Sequence, residues 1–149
     1  MRIEIVNGPN LNLVGKRSPE IYGRVSMEQV MLSLQKQWPE VRFRYFQSNH
    51  EGAIIDELQA LALAEDKIDG IVLNAGGYTH TSVAIRDAVE FCMERGIKVV
   101  ELHISDISKR EPFRQKSLLT DVCACTVMGQ GTEGYKLATQ WLIDNVKLR

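Results

Sequence analysis

Cysteine is scarce in this 149-residue chain. Cys92, Cys123 and Cys125 form no CxxC pair, and their odd number leaves no fully paired disulfide framework. Reduced thiols in the cytoplasm are expected, with Cys123 and Cys125 packing on one face of a strand. Long apolar runs are also missing. Ala60 to Ala64 is representative and falls far short of the ~20 residues that a membrane span requires. Charges interrupt the opening stretch Met1 to Asn7, which is unlike a signal peptide. No charge sign dominates: 18 Lys+Arg against 19 Asp+Glu gives −1, so neither nucleic acid nor an anionic membrane is an expected partner. Low-complexity tracts, internal repeats and Pro/Gly/Ser-rich linkers are absent too. What remains reads as one domain over residues 1–149. It is 44% apolar, large enough to bury roughly 70% of its unfolded surface, and has a small molecule as its partner.

Apolar periodicity alternates between strand and helix. Arg2 to Val6 reads as a strand. From Ser26 onward, Met27, Val30, Met31, Leu34 and Trp38 recur at helical spacing, and Ser26 with Gln29 matches a capping box. Val41 to Phe46 alternates apolar with charged residues, as a strand wet on one face does. Ile54, Ile55, Leu58, Leu61 and Ala62 mark a second helix, and Ile68 to Leu73 reads as a strand covered on both faces. Ile85, Ala88, Val89, Cys92 and Met93 make a third helix, closed by Gly96. Ile97 to Leu102 and Cys123 to Met128 are the fourth and fifth strands, and Leu137, Ala138, Trp141 and Leu142 mark a last helix. Such alternation implies a parallel sheet with helices on both faces. The charged second strand suits an edge, so the flavodoxin-like order 2-1-3-4-5 is expected. Ile104 to Val122 carries no clear helical stripe and is expected to be irregular and functional.

In open α/β sheets, ligands bind beyond the carboxyl ends of the strands. The polar residues cluster there: Asn7 to Asn12 after strand one, Gln47 to Gly52 after strand two, Asn74 to Thr81 after strand three, and His103 to Asp106 after strand four. All three histidines fall on this rim, so the rim is the expected site. His50 has two readings, a loop hydrogen-bonding residue or a site residue. His80 precedes a helix start, where an anion or an acceptor is favoured. His103 shares a strand face with Glu101, and a carboxylate that orients an imidazole suits acid–base catalysis. The spacings that build zinc sites are missing, so no metal is expected.

Tyr22 lies five residues after Arg17. A phenol whose acidity is enhanced by a guanidinium becomes a usable base, although loop tyrosines also serve as packing residues. Arg110 and Arg114, four apart, suit one carboxylate or phosphate, or a solvated loop. Gly129 to Gly134 matches GxGxxG. A dinucleotide site would need a further strand and an acidic residue ~20 positions on, and the sequence continues only to Arg149; a tight strand-to-helix turn is expected instead. Asn7 and Asn74 stand where a receiver domain would place aspartates. No lysine is obviously placed for imine chemistry, with Lys98 and Lys136 inside predicted elements and Lys16 beside Arg17.

Taken in order, Asn7-Gly8-Pro9-Asn10-Leu11-Asn12-Leu13, Arg17 to Tyr22-Gly23, Gln47 to Gly52, Asn74 to Asp87, Glu101 to Ser105 and Arg110 to Arg114 resemble the type II 3-dehydroquinate dehydratases over nearly the whole chain. The resemblance implies a flavodoxin-like enzyme without metal or organic cofactor. Its reaction converts 3-dehydroquinate to 3-dehydroshikimate by anti elimination through an enolate, in aromatic amino-acid biosynthesis or quinate breakdown. By position, it implies Tyr22 as the base at C2 and Arg17 as the group that lowers its pKa. Asn10 would hold a water at the enolate oxygen, and His103 would be the acid for the departing hydroxyl. Asn74, His80, Ile104, Ser105 and Arg114 would position the substrate. Asp87 would be lent to a neighbouring subunit in a dodecamer built from trimers. Four positions depart from the family pattern: Asp106 for a usual Asn, Ser18 for a common Glu, Gln115-Lys116 for a frequent pair of histidines, and Cys125 for a usual glycine. Asp106 is expected to act on His103 or on an anionic substrate. A flavodoxin-like phosphate- or nucleotide-binding module without catalysis is the alternative, and a catalytically impaired assembly subunit a third reading.

Overall fold

A computed structural model describes residues 1–18, 20 and 24–148. Five strands, β1 (Arg2–Asn7), β2 (Arg42–Gln47), β3 (Gly70–Asn74), β4 (Lys98–His103) and β5 (Cys125–Met128), form one parallel sheet in the order β2-β1-β3-β4-β5. This is the flavodoxin-like order that the alternating periodicity implies.

Strand alternation supplies two cores. Ile3, Ile5, Val72, Val100 and Leu102 pack under α1 (Met27–Gln37) and α4 (Gly134–Asn145). Val6, Ile71, Leu73 and Val99 pack under α2 (Glu51–Leu63) and α3 (Val83–Glu94). The central strands are buried on both faces for this reason, whereas β2 is exposed or half-buried throughout, as an edge strand is. The Ser26 hydroxyl accepts from the Gln29 N–H at 3.2 Å while the Gln29 carboxamide accepts from the Ser26 N–H at 2.9 Å, so the capping box is formed. Gly96 (φ 84°) ends α3: its N–H reaches the Met93 carbonyl and that of Ile97 the Cys92 carbonyl, the pair of bonds that needs a left-handed residue here.

Two expectations need correction. The fifth strand begins at Cys125 rather than Cys123, because the Cys123 N–H bonds back to the Leu119 carbonyl in a turn. Two-residue periodicity therefore does not link the cysteines. Cys123 packs against the α2/α3 core and Cys125 against the α1/α4 core, so they do not share a face. The long segment after β4 is irregular as expected, with short 3₁₀ turns at Ile107–Lys109 and Pro112–Arg114. It is nevertheless pinned. The Leu118 N–H donates to the Thr79 carbonyl at 2.9 Å, and Arg86 of α3 donates to the Leu118 carbonyl at 2.8 Å and to the Asp121 carboxylate.

One buried carboxyl conflicts with its surroundings. Glu4 of β1 is 1% exposed, and one carboxylate oxygen has no hydrogen-bond partner among the described residues. Burial, then the Glu57 carboxyl on α2, push the Glu4 pKa up to about 8, against the opposing pull of Arg44 on β2. The folded chain thus holds a proton that the unfolded chain releases near 4.5, and stability falls as pH rises from there toward 8. Glu4→Gln is expected to raise stability at pH 8 by about 1–3 kcal/mol. The gain should vanish near pH 4.5, as urea midpoints at the two pH values will read.

Candidate active site

The carboxyl ends of β1, β3 and β4 converge, and their loops touch because Gly8 has no side chain. A Cβ there would lie 2.5 Å from the Ala75 carbonyl oxygen. The Gly8 N–H instead donates to the Asn74 carbonyl at 2.7 Å, joining the loop after β1 to the end of β3. Asn10 follows in left-handed conformation (φ 70°), and its N–H is held by the Asn49 side chain at 2.9 Å.

These ends enclose a cleft of about 220 Å³. Asn10, Arg17, Asn74, His80, His103, Ile104, Ser105 and Arg114 all line it, with Pro9, Leu11, Leu13, Val14 and Ile107 as apolar walls. Eight of the ten expected residues therefore come together. Tyr22 lies outside the described residues. Asp87 is exposed on α3 and does not line this cleft. His50 is exposed at the N-cap of α2 and stands apart from the cleft, so only two of the three rim histidines belong to it.

His103 Nε2 lies 2.7 Å from Glu101 Oε2. Since a carboxylate only accepts, Nε2 carries a proton and Nδ1 is the nitrogen available for proton exchange with a ligand. Glu101 is fully buried and also accepts from Ser117, from Thr120 at 2.7 Å and from Thr126 at 2.8 Å. Burial alone would raise its pKa, but the hydrogen bonds from His103, Ser117 and Thr120 outweigh it and hold Glu101 at about 2. His80 Nδ1 sits 2.7 Å from the Lys116 carbonyl, so it too is the protonated nitrogen, leaving Nε2 as the other ring nitrogen.

Charge in the cleft is positive. Arg17, Arg110 and Arg114 line it together. Arg110 donates to the Ser105 hydroxyl at 3.2 Å, and Arg114 is steadied by Glu111 at 3.0 Å. An anionic ligand with several hydroxyls suits this lining. Asp106 is absent from it. Its carboxylate accepts from the Ser108 N–H at 3.0 Å and from the Ser108 hydroxyl, which lower its pKa, and it caps the turn Ile107–Lys109. The departure from Asn is thus absorbed locally. Gln115 similarly braces the loop, donating to the Arg110 carbonyl at 2.8 Å.

Arg110, paired by its spacing with Arg114 as a fit to one carboxylate or phosphate but not counted among the expected site residues, lines the cleft as well. The donors Ser117, Thr120 and Thr126 were also missed. Thr126 is opposite Glu101 in the β4–β5 register, which emerges only once the sheet is paired. Ser117 and Thr120 lie in irregular chain with no periodic signal. Among the described residues, no group of three or more His, Cys, Asp or Glu could hold a metal ion. No helix of the described chain is long and apolar enough to cross a membrane. In the Gly129 to Gly134 turn two N–H groups are turned back onto the β4 end: Gly129 donates to the carbonyls of His103 and Ser105, and Gly131 to that of Ile104 at 3.0 Å. Glu133 precedes α4 there, so an anion gains nothing from this helix N-terminus, and the nucleotide-module alternative is not favoured.

Fold and cleft together define a flavodoxin-like α/β protein with a carboxylate-oriented histidine at its switch-point rim. The chain belongs to the dehydroquinase class II family, whose model matches residues 1–143. A catabolic 3-dehydroquinase 1 from Neosartorya fischeri is 46% identical over 149 residues, covering 99% of this chain and 95% of that one. A 3-dehydroquinate dehydratase from Campylobacter jejuni is 44% identical over 146 residues, covering 97% and 88%. The crystal structure of a type II dehydroquinase from Butyrivibrio crossotus superposes with a TM-score of 0.90 at 41% identity, covering 96% and 97% of the two chains.

The Glu101 network has a pH signature. A carboxylate held at about 2 when folded, against 4.5 otherwise, contributes stability that is complete above pH 4.5 and is lost as pH falls toward 2. Glu101→Gln is expected to cost roughly 3 kcal/mol at pH 7. The gap to the parent should close in urea titrations taken toward pH 2.

Proposed function

We propose that residues 1–149 form a single catalytic domain that dehydrates 3-dehydroquinate to 3-dehydroshikimate by anti elimination through an enolate. Family membership supports the reaction, and the observation that carries the assignment of residues is the Glu101–His103 pair at 2.7 Å opening on a cationic cleft. Tyr22 is the base that takes the C2 proton next to the ketone. Arg17 holds its phenol in the deprotonated form and faces the negative charge that develops. Asn10 holds a water at the enolate oxygen. His103 then gives the Nδ1 proton to the β-hydroxyl, which leaves as water, while Glu101 keeps Nε2 protonated throughout. Asn74, His80, Ile104, Ser105 and Arg114 bind the hydroxyls and carboxylate of the substrate. No cofactor enters this scheme.

The product serves aromatic amino-acid biosynthesis or quinate breakdown in the cytoplasm, a placement supported by three unpaired cysteines. Asp87 is given to a neighbouring subunit's cleft in a dodecamer built from trimers. Its exposure on α3, away from its own cleft, supports that use.

Protein mixed with 3-dehydroquinate is expected to produce the ultraviolet absorbance of a conjugated enone, and no change at high protein concentration would refute the activity. Tyr22→Phe should lower kcat by about 10²–10⁴-fold while leaving substrate binding measurable by calorimetry. A near-parental rate would take the base role from Tyr22. Light scattering should give a mass near twelve chains; a monomer would contradict the role of Asp87.

A further inference from the structure

A line of buried hydrogen bonds runs behind the cleft from Asn74 and has no part in the scheme above. The Asn74 carboxamide nitrogen donates to the Tyr135 hydroxyl at 3.4 Å, and that hydroxyl donates to the Asn7 carboxamide oxygen at 2.8 Å. The Asn7 nitrogen in turn donates to the Tyr45 hydroxyl at 3.3 Å. Asn7 and Tyr135 are fully buried and Asn74 is 3% exposed. On its other side, the Asn74 oxygen accepts from the Gly76 N–H at 3.2 Å.

Directions in this line are set from the Gly76 end, whose backbone N–H can only donate. The Gly76 N–H requires the Asn74 oxygen on its side, which turns the nitrogen toward Tyr135. Burial pushes the Tyr135 phenol far above its usual range, so it always has a proton, and that proton is committed to Asn7. Its oxygen therefore faces Asn74 only as an acceptor. A flipped Asn74 would set carbonyl against an oxygen with no proton to give, and amide N–H against backbone N–H. Only one amide orientation is satisfied, and it leaves the second N–H on the nitrogen for the cleft.

We infer that Tyr135, anchored by Asn7, is a positioning residue that locks the Asn74 carboxamide so that substrate meets an N–H donor. Tyr135 is on α4 and does not itself line the cleft. The inference rests on the proposed contact between Asn74 and a substrate hydroxyl. That contact is made in the ground state and the transition state alike, so its loss falls on KM more than on kcat.

Steady-state kinetics with 3-dehydroquinate test it. Tyr135→Phe is expected to raise KM about five- to tenfold with kcat within about twofold. Asn74→Ala should raise KM as well, and adding Tyr135→Phe to it should change nothing further, because the lock then has nothing to hold. If Asn74→Ala raises KM but Tyr135→Phe does not, or if the two effects add, the lock is refuted and the substrate contact stands. If Asn74→Ala leaves KM unchanged, the contact itself is wrong and the lock falls with it. Should Tyr135→Phe not fold, Asn7→Ala frees the same hydroxyl proton to swing toward Asn74. A KM equal to the parent's in that variant would overturn the proposal.

Discussion

A single buried negative charge organises one side of the cleft. Glu101 lies on a central strand with no exposed surface, where an unpaired carboxylate would cost several kcal/mol. Four donors offset that cost: His103 from the same strand face, Thr126 from β5, and Ser117 and Thr120 from the irregular chain between them. The segment after β4 must fold back over the sheet to deliver two of the four. The charge therefore fixes the loop that carries Arg110 and Arg114 as well as the ring of His103. Fold stability and the geometry proposed for catalysis share one network here, and the network closes only when the whole segment is in place.

Glu4 shows what the same residue type does without such donors. It too is buried on a strand facing a helix layer, but its near neighbour is a second carboxyl, Glu57, and one of its oxygens has no partner among the described residues. Burial then wins and the proton stays on. The two glutamates have similar exposure and opposite protonation, so partner count rather than depth decides which is charged. Only the charged one orients a histidine.

The sheet order was legible because each strand announced its neighbours. The continuous apolar run through Ile71 to Leu73 matches a strand covered twice, and the alternating charges of Arg42 and Arg44 match an edge. The rim was legible because the fold rule concentrates polar residues at strand ends, and Asn10, Asn74, His80, His103, Ile104 and Ser105 from those ends line one cleft, joined by Arg17 and Arg114, which the family resemblance supplied. Three things were not. Cys123 reads as strand until a turn to Leu119 removes it from the ladder. Ser117 and Thr120 have no period, so nothing local marks them as partners of a residue 16 and 19 positions away. Tyr135 reads as an ordinary apolar face residue of the last helix, and its hydroxyl gains meaning only against Asn7, from the opposite end of the chain.

Strand order also bears on how the proposed scheme divides acid from base. In the order β2-β1-β3-β4-β5, β3 separates β1 from β4. The cleft is therefore lined from one side of β3 by the loop after β1, with Asn10 and Arg17, and from the other by His103 of β4. In the proposed scheme the base comes from the first and the acid from the second. The acid side is set by hydrogen bonds within the sheet and its covering loop, whereas Arg17 reaches the cleft from the segment after β1.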